Sequence, residues 1–220
     1  MNIALIGTEN RIAQLLPKIP SGHSINILEY IELDDYNFDD IDLIIDLNLD
    51  DTPENIVAFA DLWDKPVIGC AVKTQLAEMV HVIGGVECQL FGINALPLFL
   101  EGELMEVSAY NKEDKPVLEK LALELGWKLK WVEDRVGMVT PRIIFMIINE
   151  AYYTVQEGTA GKEDIDLGMK LGTNYPGGPF EWLEKIGLED VYETLDALYN
   201  DTRDERYKIC PLLKTEYLKK

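Results

Sequence analysis

Apolar residues in the first half of the chain fall in short runs, each broken by Gly, Pro or acidic residues. Met1–Gly7 is such a run ending in Gly and reads as a buried strand. Asn10 to Ile19 predicts a short helix stopped by Pro20, and His23 to Tyr30 alternates like a second strand. Ile41 to Leu47 is a third run. Pro53 then opens an amphipathic helix carrying Ile56, Val57, Phe59, Ala60 and Leu62. Lys65 to Val72 reads as a fourth strand and Gln89 to Asn94 as a fifth. Strands alternating with helices imply a parallel sheet of the doubly wound kind.

Beyond Arg142 the period changes. Ile143, Ile144, Ile147, Ile148, Ala151, Tyr152 and Val155 recur at helical spacing, and Gly158 is a natural stop. Lys162 opens a second helix that ends at Gly172. The stretch 174–178 is a Pro/Gly turn, and Pro179 starts a helix holding Phe180, Trp182 and Leu183 that closes at Gly187. Asp190 to Tyr199 forms another. The carboxy-terminal part is therefore expected to be all helical.

Charge narrows the partners. Forty acidic against twenty basic residues leave a net charge of −20, a field that repels nucleic acid and anionic membrane. Thirteen carboxylates, Glu29 through Asp64, fall between Lys18 and Lys65 with no Lys or Arg among them. This interval reads as a solvated acidic face with a loop, and a poor place to hold a phosphate. No apolar stretch reaches membrane-spanning length, and Met1–Gly7 lacks the features of a signal peptide. Cys70, Cys88 and Cys210 are too few and scattered for a disulfide framework or a zinc site, so reduced thiols in a cytoplasm are expected. Asp46-x-Asn48-x-Asp50 resembles the start of a calcium loop, but Asp51 stands where Gly is needed and Val57 where Glu is needed.

In a doubly wound fold the first turn normally reads G-x-G-x-x-G, so that the backbone can approach a pyrophosphate at a helix N-terminus. Here it reads Gly7-Thr8-Glu9-Asn10-Arg11-Ile12. Gly7 is retained, Glu9 brings negative charge toward the phosphates, and Ile12 would hold the helix off the strand. Glu29 stands where a carboxylate would accept the ribose hydroxyls. Gly7 and Glu29 are thus the candidate cofactor-binding residues of an eroded dinucleotide site.

The run Asp164-Ile-Asp-Leu-Gly-Met-Lys-Leu-Gly172, the turn Tyr175-Pro-Gly-Gly-Pro-Phe180 and the closing Arg206-Tyr207…Pro211-Leu-Leu213 closely resemble the helical domain of NAD-dependent 3-hydroxyacyl-CoA dehydrogenases. The resemblance implies a reduced Rossmann-like α/β domain over residues 1–132. An all-α domain over 133–220 would follow, which in the family packs on the acyl side of the substrate and forms the dimer interface. Only the acidic loop Ile31–Asp40 stands where the family carries a helix pair and a strand that help bind coenzyme A. Residues Gly92 to Val107 align without a gap on the family's catalytic segment, placing Glu106 on the dyad Glu and Asn94 on the catalytic His. An Asn amide donates and accepts hydrogen bonds but takes no proton near neutral pH. Neither His23 nor His81 matches the base. The family's active-site hydroxyl falls on Thr74 or Lys73, depending on the register chosen. In Asp134-Arg-Val-Gly-Met-Val-Thr-Pro-Arg142 the family's Asn is replaced by Pro141. The resemblance thus implies NAD as cofactor, an acyl-CoA or small-acid ligand and a homodimer, with Glu106, Asn94 and Thr74 as candidate catalytic residues. The substitutions point to weakened or lost hydride transfer.

Overall fold

A computed structural model describes residues 1–30, 33 and 36–220. Ile31, Glu32, Asp34 and Asp35, within the expected acidic loop, lie outside the described residues. The chain divides into two units, Met1–Met138 and Val139–Lys220.

In the first unit five strands form where the apolar runs place them: β1 (Asn2–Ile6), β2 (Ser24–Leu28), β3 (Leu43–Asp46), β4 (Pro66–Cys70) and β5 (Gln89–Ile93). Two further strands, β6 (Leu104–Ala109) and β7 (Lys128–Trp131), complete a seven-stranded sheet in the order β2-β1-β3-β4-β5-β6-β7. Ile3, Ala4 and Leu5 of β1 and Leu43, Ile44 and Ile45 of β3 are fully buried, as central strands covered on both faces require. The unit's helices are α1 (Glu9–Leu15), α2 (Val57–Ala60), α3 (Leu76–Ile83) and α4 (Lys115–Leu125).

The sheet is mostly parallel, as the strand–helix alternation predicts, with one antiparallel junction. β1 to β5 run parallel, β6 is antiparallel to β5, and β7 is parallel to β6. The reason is connection length. Residues 94–103 are too few to carry a crossover, so the chain reverses into β6, whereas α4 supplies the crossover from β6 to β7. Segment 133–138, grouped with the helical half by sequence, is tied to the sheet unit. Both carboxylate oxygens of Asp134 accept the opening N–H groups of α3, from Leu76 and Ala77, each at 2.9 Å. Gly137 N–H donates to the Val72 carbonyl at 2.6 Å.

The second unit is helical, with α5 (Thr140–Gln156), α6 (Lys162–Thr173), α7 (Pro179–Ile186), α8 (Leu188–Thr202) and α9 (Pro211–Leu218). Its Pro/Gly turn before α7 has a packing explanation. Asp166 of α6 accepts the N–H groups of Phe180 at 2.9 Å and Glu181 at 3.1 Å, placing an anion at the start of α7. A Cβ on Gly178 would lie 2.2 Å from the Asp166 carboxylate carbon, so the close approach needs Gly. Buried Asn149 of α5 donates to the Lys208 carbonyl at 3.0 Å and accepts from Cys210 N–H at 2.8 Å, fastening the closing segment. The Arg142 guanidinium donates to the Tyr207 hydroxyl at 2.9 Å.

Candidate functional site

The parallel register sets Ile6 beside Leu28 and Asp46, Asp46 beside Gly69, and Cys70 beside Ile93. The residues that follow, Gly7, Glu29, Leu47, Ala71 and Asn94, therefore emerge along one edge of the sheet. In doubly wound folds this carboxyl edge is where ligands bind. Every candidate residue of the first unit read from the sequence lies on this edge or next to it.

Asn94 and Glu106 are brought together. The antiparallel pairing Ile93–Val107 extends by one step, with Asn94 N–H donating to the Glu106 carbonyl at 3.0 Å. Residues directly opposite in such a ladder have Cβ atoms about 5 Å apart on one face. Asn94 is only 5% exposed and its side-chain oxygen accepts no hydrogen bond. Glu106 is half-buried. Lys73 and Thr74 follow β4 on the neighbouring loop. Lys73 forms an ion pair with Asp51, while half-buried Thr74 carries the hydroxyl one residue further on. Glu29 stands exposed past β2, and Gly7 past β1 is confined, since a Cβ there would lie 3.0 Å from the Leu47 Cβ and 3.2 Å from the Asn48 Oδ1.

A second cluster on this edge is absent from the sequence reading. The Arg11 side chain is buried and spans the edge. Its Nη1 donates to the Leu47 carbonyl at 2.6 Å and lies 3.9 Å from Asp50, and its Nη2 lies 3.2 Å from Asp51. Asp50 Oδ2 accepts from the backbone N–H groups of Val72 and Lys73, each at 2.9 Å. Asn48 Oδ1 accepts Thr8 N–H at 2.8 Å, and its amide nitrogen donates to Asp51 at 2.6 Å. Asp46 Oδ1 accepts the Tyr30 hydroxyl at 2.9 Å and Asn48 N–H at 3.0 Å, while its Oδ2 has no partner.

These surroundings separate the three carboxylates. Burial pushes Asp46 up to about 7, against the pull of the Asn48 N–H and the Tyr30 hydroxyl. Burial also raises Asp50, partly offset by Arg11. Asp51 is opposed by burial too, but Arg11 and Lys73 together hold it below the ordinary carboxylate value. The solvated acidic face expected over Glu29–Asp64 is thus wrong for Asp46 and Asp50, which are buried. The sequence signal was Asp46 closing an otherwise apolar strand. A carboxylate there, followed by Asn48, Asp50 and Asp51, needs buried partners, and Arg11 supplies charge from another element.

The Thr8 N–H is already taken, α1 spans only seven residues, and Glu9 stands at its start. At the other end of the edge, the amide of Asn94 can hold a hydroxyl or carbonyl by hydrogen bonds but cannot remove a proton.

Fold and site together define a Rossmann-type α/β unit followed by a helical unit. Residues 137–220 match the family described as "3-hydroxyacyl-CoA dehydrogenase, C-terminal domain". A probable 3-hydroxybutyryl-CoA dehydrogenase of Bacillus subtilis is 35% identical over 167 residues, 76% of this chain and 55% of that protein. A 3-hydroxybutyryl-CoA dehydrogenase of Bradyrhizobium diazoefficiens is 34% identical over 121 residues, 55% of this chain and 41% of that one. The crystal structure of (S)-3-hydroxybutyryl-CoA dehydrogenase from Ralstonia eutropha superposes with a TM-score of 0.73 at 19% identity, covering 99% of this chain and 93% of that one, a likeness of fold. Residues 137–220 belong to the 3-hydroxyacyl-CoA dehydrogenase family, and the chain spans about half the length of these relatives by sequence.

Proposed function

We propose that this chain binds a small 3-hydroxyacyl thioester of acyl-CoA metabolism and performs little or no hydride transfer. The observation that carries the reading is Asn94, which stands opposite Glu106 with its side-chain oxygen buried and unpartnered. A buried acceptor left unsatisfied costs about 1–3 kcal/mol, which a ligand hydroxyl donating to it would recover. The same amide leaves the alcohol proton without a base at that position. A homodimer through the helical unit and a cytoplasmic location belong to this proposal. An apolar cleft of about 670 Å³ lined by Ile143, Met146, Ile147, Ile165 and Met169 supports the first, and three free, buried cysteines support the second. Among the described residues no helix is long and apolar enough to cross a membrane.

Two measurements on the wild-type chain test it. 3-Hydroxybutyryl-CoA at about a hundred times its Kd is expected to stabilise the fold by roughly 2.7 kcal/mol, and Asn94→Ala to weaken that binding tenfold or more. Turnover of acetoacetyl-CoA with NADH is expected near background. Robust turnover would establish a working dehydrogenase, the reading favoured by the names of the relatives. No stabilisation by any acyl thioester would leave a dimeric scaffold.

A further inference from the structure

Three backbone N–H groups and two cations at the corner of β1, β3 and β4 are engaged by the chain's own side chains. Asn48 takes the Thr8 N–H after β1, and Asp50 takes the Val72 and Lys73 N–H groups after β4. Asp51 pairs with both cations of the corner, Arg11 and Lys73. All three acceptors come from one short segment after β3. An incoming diphosphate would therefore meet these donors in use and two carboxylates, Asp50 and Asp51, already set against Arg11 and Lys73. Gly7 has no room for a side chain, since a Cβ there would meet the Leu47 Cβ and the Asn48 oxygen.

We infer that the segment 48–51 is an internal occupant of the diphosphate corner, so that this chain takes no nicotinamide dinucleotide there. The inference goes beyond the acyl-binding proposal. It makes cofactor exclusion, and not only the missing base at residue 94, a cause of lost hydride transfer. Restoring a base would then leave the enzyme without its hydride source. Asp51 is the accessible member, with a side chain 27% exposed, and it is the residue that neutralises Lys73 and the outer nitrogen of Arg11. Removing its carboxylate takes one negative charge from beside Lys73 and Arg11 and leaves buried Asp50 in place.

The test is a calorimetric titration of the full chain with NADH and, separately, with inorganic pyrophosphate. The wild type is expected to show no saturable binding of either up to 1 mM, about the affinity floor set by −4.1 kcal/mol. Asp51→Ala is expected to gain pyrophosphate affinity by at least tenfold. Saturable NADH binding by the wild type below 1 mM would overturn the inference, as would a folded Asp51→Ala variant with no gain. If that variant fails to fold, the wild-type NADH titration decides alone. An acyl thioester lacking a nucleotide, S-acetoacetyl-N-acetylcysteamine, keeps the two proposals apart. Its failure to bind counts against the acyl reading only, and NADH binding counts against cofactor exclusion only.

Discussion

Asp46 offers the sharpest check on how the buried cluster is held, because its effect has a sign that depends on pH. The side chain is fully buried, with one oxygen bonded to Tyr30 and Asn48 and the other bare. In the native state it keeps its proton to about pH 7, against an ordinary value of 3.8. Between those limits the folded chain binds more protons at this site than the unfolded one, so stability falls as pH rises and levels off above 7. About three pKa units at about 1.4 kcal/mol each give a penalty of about 4 kcal/mol at pH 8, shrinking to under about 1 kcal/mol at pH 4. Asp46→Asn removes the ionisation and keeps an oxygen to accept both hydrogen bonds. Its new amide hydrogens add a fixed cost of about 1–3 kcal/mol if left unbonded. The difference in urea stability between variant and wild type, followed by circular dichroism from pH 4 to 8, is therefore expected to shift toward the variant by about 3–4 kcal/mol. Taking the difference cancels the titrating groups that do not interact with Asp46. Parallel curves, or a shift toward the wild type at high pH, would refute the buried, proton-holding Asp46.

Two substitutions probe other parts of the same logic. Arg11→Met leaves Asp50 buried without its countercharge and is expected to cost about 3–5 kcal/mol, measured by denaturation, with more than half recovered in the double variant Arg11→Met/Asp50→Asn. Gly178→Ala places a methyl against the Asp166 carboxylate and is expected to lower stability by more than about 2 kcal/mol. Thermal melts would show it as a loss of roughly 4–8 °C.

Local pattern determined much of this protein. The apolar runs of β1 to β5 and the helix stops at Gly158 and Gly187 are short-range consequences of side-chain size and backbone freedom, and each appears where the sequence places it. Asn94 and Glu106, separated in the sequence, stand opposite one another where β5 meets β6. β6, β7 and α4 were missed. β7 has only four residues with a half-exposed pattern, and the stretch of β6 drew notice as a catalytic segment and not as a strand. Its reversal depends on how the strand meets β5, which no local period records. The buried cluster was illegible for a stronger reason. A carboxylate is soluble or buried according to what stands beside it, and the partners of Asp50 lie 22 and more residues away, at Val72, Lys73 and Arg11. The chain's composition supplied the charges; only the folding of β1, β3 and β4 side by side decided which of them would be taken out of water.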